Sequence, residues 1–118
     1  MKILLIDDNK EITDVVSFYL ESEEISCIIT TDGREGLEMI KSRNDFNLIL
    51  LDIAMPNFSG YDILDELRKD NLISTRNIVL FTASVLDEKK IFSYGVKGII
   101  KKPISIDDLQ AAVDKFKQ

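Results

Sequence analysis

Histidine is absent from the 118 residues. That absence removes Ser–His and Cys–His nucleophilic machinery and every histidine-ligated metal site. Cys27 is the sole cysteine and stands in an apolar stretch. It cannot form an intrachain disulfide and reads as a buried thiol. Long apolar runs are also missing. The first one, Ile3, Leu4, Leu5 and Ile6, stops at Asp7, which is too short for a signal peptide and far too short to span a bilayer. A cytoplasmic setting without a membrane partner is the expectation. Positive charge is the minority sign, with 15 Lys and Arg against 21 Asp and Glu for a formal net charge of -6. Such a balance argues against nucleic acid as a direct partner. What is present, 45% hydrophobic and 31% charged residues, is the mixture of a globular chain, and the length predicts one domain with one core.

The stretch 48–56 organises the chain. Leu48, Ile49, Leu50 and Leu51 run without interruption into Asp52, and a short loop with Met55 and Pro56 follows. A continuous apolar run of this length suits a strand buried on both faces. Two more such runs stand at 3–6, ending in Asp7 and Asp8, and at 78–81, ending in Thr82, Ala83 and Ser84. A more polar run at 25–31 reads as an edge strand, and a short one at 98–101 precedes Lys102 and Pro103. Between the strands the period changes. Ile12, Val15, Val16, Tyr19 and Leu20 fall on one helical face, with Asp8 or Asn9 able to cap its start. Asp32 and Glu35 mark the start of a second helix, with Leu37 and Ile40 on its apolar side. Residues 61–70 read as a third, with Ile63, Leu64 and Leu67 inward, and 71–77 as a connection. Residues 87–94 read as a fourth, ending at Gly95. Ser105 and Asp108 resemble a capping box for a last helix carrying Ile106, Leu109, Val113 and Phe116.

Strict alternation of strands and helices predicts an α/β fold: a five-stranded parallel sheet with five helices on both faces and right-handed crossovers. All strand C-termini then share one rim, which gathers Asp7, Asp8, Asp52, Thr82 and Lys102. Taken alone, Asp7 and Asp8 read as a helix cap and a solvated acid. With Asp52 beside them, the repulsion calls for a raised pKa or for a hard cation held by oxygen ligands, such as Mg2+. Lys102 adds a cation on the opposite side, suited to a phosphate oxygen. It precedes Pro103, and a cis bond there could aim it into the crevice. Thr82 supplies a hydroxyl. Together these form a trap for a phosphoryl group, with Asp52 as the nucleophile.

These residues carry a family resemblance. Asp7 and Asp8 after the first strand, Asp52 with Met55, Pro56 and Gly60, Thr82 with Ala83, and Lys102 with Pro103 resemble the receiver domain of two-component response regulators. The likeness runs over essentially all of 1–118 as a single receiver domain. It implies a doubly wound, flavodoxin-like sheet of order 2-1-3-4-5. It implies that Asp52 accepts a phosphoryl group from a phosphohistidine on a sensor histidine kinase or phosphotransfer protein. Asp8, Asp52 and the backbone carbonyl of Ala54 would bind Mg2+ (or Mn2+), with Asp7 acting mainly through water. Thr82 and Lys102 would contact the phosphoryl group. The domain would catalyse its own phosphorylation and dephosphorylation rather than turn over a separate substrate. Its output to a downstream protein would pass through the face made by the fourth helix, fifth strand and fifth helix. A monomer is expected, with dimerisation through that face on phosphorylation.

One position departs from the family pattern. Three residues before Lys102, where Tyr or Phe is usual, stands Ile99, so the chemistry at Asp52 is expected to survive without the aromatic half of the switch. Phe81 is no substitute, since it belongs to another strand. Phe92 and Tyr94 are candidates for the output face or for packing. Ala54 and Ser84, both small, are expected to leave room for water. A phosphatase of the haloacid dehalogenase type also has an aspartate nucleophile after a strand, but it calls for Asp-x-Asp and a cap, and Asp7 and Asp8 are adjacent.

Overall fold

A computed structural model describes residues 1–83 and 87–117. Ser84 lies outside them. The described elements alternate as β1 (Lys2–Ile6), α1 (Lys10–Ser22), β2 (Ser26–Thr30), α2 (Gly33–Ser42), β3 (Leu48–Leu51), α3 (Gly60–Lys69), a 3-10 turn (Ile73–Thr75), β4 (Ile78–Thr82), α4 (Glu88–Ser93), β5 (Gly98–Lys101) and α5 (Ile106–Phe116). The strands pair in parallel in the order β2-β1-β3-β4-β5, as expected.

The apolar runs explain the layering. Successive residues of a strand face opposite sides of the sheet. Leu4, Ile6, Ile49, Leu51, Ile78 and Leu80 point to one side and meet Ile40, Ile63, Leu64, Leu67 and Ile91 of α2, α3 and α4. Ile3, Leu5, Leu48, Leu50, Val79 and Phe81 point to the other and meet Val16, Leu20, Leu109, Val113 and Phe116 of α1 and α5. A run that must fill both layers has no polar position to spare, so the central strands carry no periodicity. β2, at the edge, is buried at Thr30 and exposed at Ser26 and Ile29.

Local chemistry starts each helix. The Asn9 side chain accepts from the N–H groups of Glu11 and Ile12, so Asn9, not Asp8, caps α1. Asp32 accepts from Arg34 and Glu35, and Asp87 accepts from Lys90. Ser105 Oγ accepts from the Asp108 N–H at 3.4 Å. An unexpected capping box at α3 pairs Ser59 with Asp62 and starts that helix at Gly60, a residue earlier than its apolar pattern suggests. Gly95 ends the α4 segment at φ +102°, a backbone conformation other residues rarely adopt.

Four expectations change. Val15 and Ile106 are 48% and 45% exposed, because α1 buries the stripe Thr13, Val16 and Leu20 and α5 the stripe Leu109, Val113 and Phe116. Phe18, between the buried Val16 and Leu20 in sequence but on the outer side of α1, is 76% exposed. Cys27 is half-buried on the edge strand rather than buried, and burial pushes its thiol up to about 11. The connection 71–77 holds the 3-10 turn, pinned by buried Ile73. No helix among the described residues is long and apolar enough to cross a membrane.

Candidate functional site

β1 lies between β2 and β3: the chain steps outward from β1 to β2, then crosses back past β1 to β3. This is the switch point at which open α/β sheets form a crevice beyond their strand ends. Asp7 and Asp8 follow β1, Asp52 follows β3, Thr82 ends β4 and Lys102 follows β5. The structure brings all five to that crevice. Carboxylate oxygens of Asp7, Asp8 and Asp52 lie within 4.8 Å of one another. Asp7, Asp52 and Thr82 are buried, whereas Asp8 is exposed and forms the open lip.

Each buried acid is held by its surroundings. Asp7 Oδ1 accepts from the Asn9 N–H at 2.9 Å, and Asp7 Oδ2 accepts from Lys102 Nζ at 2.8 Å. Asp52 Oδ1 accepts from the Ala54 N–H at 3.3 Å, with Lys102 Nζ at 3.5 Å. Lys102 therefore does not stand across from the acids, as the sequence suggested. It lies against Asp7, because a fully buried carboxylate draws the nearest cation to offset its desolvation. The Lys102–Pro103 bond is cis, and the Lys102 N–H donates to the Thr82 carbonyl at 2.8 Å.

The surroundings of Asp52 perturb its carboxyl. Burial, and then the charge of Asp7, push its carboxyl up to about 6, while Lys102 and the Ala54 N–H pull the other way. A carboxylate in that range is ionised at neutral pH and poorly solvated, which suits a nucleophile. A hard divalent cation prefers oxygen ligands, and three close carboxylates with one at the solvent lip match that preference. The donor set thus fits such an ion. Ala54 is exposed beside Asp52.

Gly60 of the motif, together with Asn9 and Phe81, completes the site. Gly60 N donates to the Ile53 carbonyl at 3.0 Å. A Cβ at Gly60 would stand 2.5 Å from the Asp52 carbonyl oxygen and 2.8 Å from Ile53 Cα. The glycine of the motif is therefore what lets the start of α3 press against the Asp52 loop. Asn9 orients Asp7, and the fully buried Phe81 ring lies under the Lys102 ammonium, 5.3 Å from centroid to nitrogen. The only sequence signal for Phe81 was its place before Thr82. Ile99 is half-buried, opposite Leu80, and packs on the core rather than into the crevice. Phe92 is exposed, whereas Tyr94 packs under the Arg68 guanidinium at 4.4 Å and ties α4 to α3.

Comparison with known proteins agrees with this geometry. Residues 3–114 match the family model of the response regulator receiver domain. The response regulator SaeR of Staphylococcus aureus is 31% identical over 116 residues, covering 97% of this chain and 49% of SaeR. The chain thus spans about half the length of the curated relatives it matches. Among solved structures, the receiver domain of the Francisella response regulator 1452 is 31% identical with a TM-score of 0.83, covering 98% of this chain and 94% of that one. The response regulator TrrA of Thermotoga maritima, solved with Mg2+ and BeF, is 28% identical with a TM-score of 0.81, covering 98% and 97%. A perturbed aspartate at a doubly wound switch point, ringed by the expected acids, hydroxyl and lysine, and a family match along nearly the whole length lead to one statement: the chain belongs to the response regulator receiver domains of two-component signalling.

Proposed function

We propose that Asp52 is the phosphoacceptor of a Mg2+-dependent switch and that the chain as a whole is one receiver domain. The observation that carries this reading is the Asp52 carboxylate itself: buried, raised to about 6, and flanked by two further acids and a lysine. An Asp52 oxygen attacks phosphorus while the N–P bond of a phosphohistidine on a sensor kinase or phosphotransfer protein breaks. The electron pair of that bond stays on the imidazole nitrogen, which takes up a proton. Asp7, Asp8, Asp52 and the Ala54 carbonyl would hold the divalent cation, Mg2+ or Mn2+. When bound, that ion supplies charge neutralisation for the acids and for the phosphoryl oxygens.

The chain's own residues do the rest. Lys102 Nζ, already 3.5 Å from Asp52, meets a phosphoryl oxygen with a short shift away from Asp7. Thr82, at the end of β4, offers its hydroxyl to another oxygen. The site thereby catalyses its own phosphorylation, and attack by water reverses it. Receiver domains pass signals between histidine kinases and effectors. Here the α4, β5 and α5 face serves a downstream protein, a protein-contact route in keeping with the net charge of -6. The unphosphorylated form is a cytoplasmic monomer, and phosphorylation favours pairing through the same face.

Incubation with Mg2+ and acetyl phosphate tests the reading. An adduct of about 80 Da, one phosphoryl group, should form on the intact protein and vanish in Asp52→Asn. A folded protein that stays unlabelled with Mg2+ and donor in excess overturns it.

A further inference from the structure

Lys102 leaves the end of β5, yet its ammonium reaches Asp7 at the end of β1, with β4 and β3 lying between. Neighbouring strands stand about 4.8 Å apart, so the flexible lysine stem must cross the end of β4 to get there. Phe81 occupies that crossing. The pairings Leu51 with Leu80 and Phe81 with Ile100 put Phe81 level with Asp52, one strand away. Its ring is fully buried in the cluster that includes Val79, Ile100 and Leu109, which leaves it little freedom.

The ammonium has three N–H donors and no acceptor. One donates to Asp7 Oδ2 at 2.8 Å, and Asp52 Oδ1 lies at 3.5 Å. The Phe81 ring covers a further side, 5.3 Å from nitrogen to centroid, inside the roughly 6 Å reach of a cation–π contact. An aromatic face attracts the charge without presenting an oxygen that would turn a donor away from the carboxylates. Leucine would fill much of the same space and lack the quadrupole that attracts a cation. The Lys102 side chain is only 12% exposed, so little water competes.

We propose that Phe81 is a positioning residue for phosphoryl transfer: its ring holds the Lys102 ammonium between Asp7 and Asp52, and so fixes where that charge meets a phosphoryl group. This rests on the reading of Asp52 as phosphoacceptor and Lys102 as its cationic contact. A cation placed in advance contributes most where charge develops in the transition state, and a lysine free to wander contributes less.

The test is a double-mutant cycle over wild type, Phe81→Leu, Lys102→Met and the double variant. Two quantities are read: the initial rate of labelling by acetyl phosphate, and Mg2+ affinity by calorimetry. Phe81→Leu should slow labelling about fivefold to tenfold, between the effect of an exposed and that of a fully desolvated cation–π contact, while Mg2+ affinity stays unchanged. In the Lys102→Met background the same substitution should have no further effect, because the group it positions is gone. Equal slowing in both backgrounds would mean packing alone and would overturn the proposal. So would a wild-type rate in Phe81→Leu. If Lys102→Met itself labels at the wild-type rate, the reading of Lys102 fails and the inference goes with it. Should Phe81→Leu not fold, Phe81→Met takes its place in the same cycle.

Discussion

Replacing Asp52 by Asn should stabilise the folded chain, and the size of the gain can be worked from the site. The folded carboxyl sits at about 6, against about 3.9 for an ordinary aspartate in an unfolded chain. Because the folded state holds this proton more tightly, ionising Asp52 opposes folding. Below about pH 4 both states are protonated and the penalty is absent; it grows between about pH 4 and pH 6 and is complete above that. Two units at about 1.4 kcal/mol each give a penalty of about 3 kcal/mol at pH 7. Asparagine has nearly the same shape and no charge to desolvate, so the variant should exceed wild type by about that amount. For a chain of this length the difference corresponds to a midpoint higher by about 10 °C. Thermal and urea unfolding of both proteins, from pH 4.5 to 8 in chelator, measures it. The gap should be widest above pH 7 and should close on acidification. Adding Mg2+ at pH 7 should narrow it from the wild-type side, since the ion binds the folded state. Parallel curves from pH 5 to 8, or a less stable Asp52→Asn protein at pH 7, would refute the account of Asp52 as a desolvated anion repelled by Asp7.

Gly60→Ala should destabilise the fold by about 1–3 kcal/mol, the range for overpacking, and slow labelling, because its methyl meets the Asp52 carbonyl and Ile53 backbone; unfolding and acetyl phosphate assays on the same sample check both. Lys102→Met should cost about 3 kcal/mol in urea unfolding without divalent ions, since it leaves Asp7 buried and unpaired. Leu50→Ala, in a side chain with no exposed surface on a central strand, should cost about 2–5 kcal/mol by denaturant midpoint. Ile99→Ala should leave the labelling rate unchanged, because Ile99 packs on the core and not into the crevice; a large loss of rate would show that β5 couples to Asp52 through this side chain.

The parts of the fold that were readable are those set by composition over a few residues. The runs at Leu48–Leu51 and Ile78–Thr82 announce strands covered on both faces, because a strand between two helical layers can carry no charge until it leaves the sheet. Asp32 and Gly95 announce a helix start and a helix end through their own local hydrogen bonding and backbone freedom. Other elements resisted for equally definite reasons. Periodicity put Val15 and Ile106 on apolar faces, but a helix on a sheet buries only the stripe it presses down, and both stand at the shoulder. α3 starts one residue before its apolar pattern does, at a Ser59 and Asp62 pair with the same spacing as Ser105 and Asp108.

By itself, the sequence determined the cast and the rim. Alternating strands and helices imply a parallel sheet, parallel strands end on one side, and the residues at those ends are Asp7, Asp52, Thr82 and Lys102. Only the tertiary structure decided their partners. Whether Lys102 faces Asp7 at 2.8 Å or Asp52 at 3.5 Å is a difference of less than an ångström. It depends on strand register, on how deeply each acid is buried and on the Phe81 ring beneath the ammonium. Distances on that scale are set by packing between residues far apart in the chain, and Coulomb energies in a poorly solvated crevice vary steeply with them.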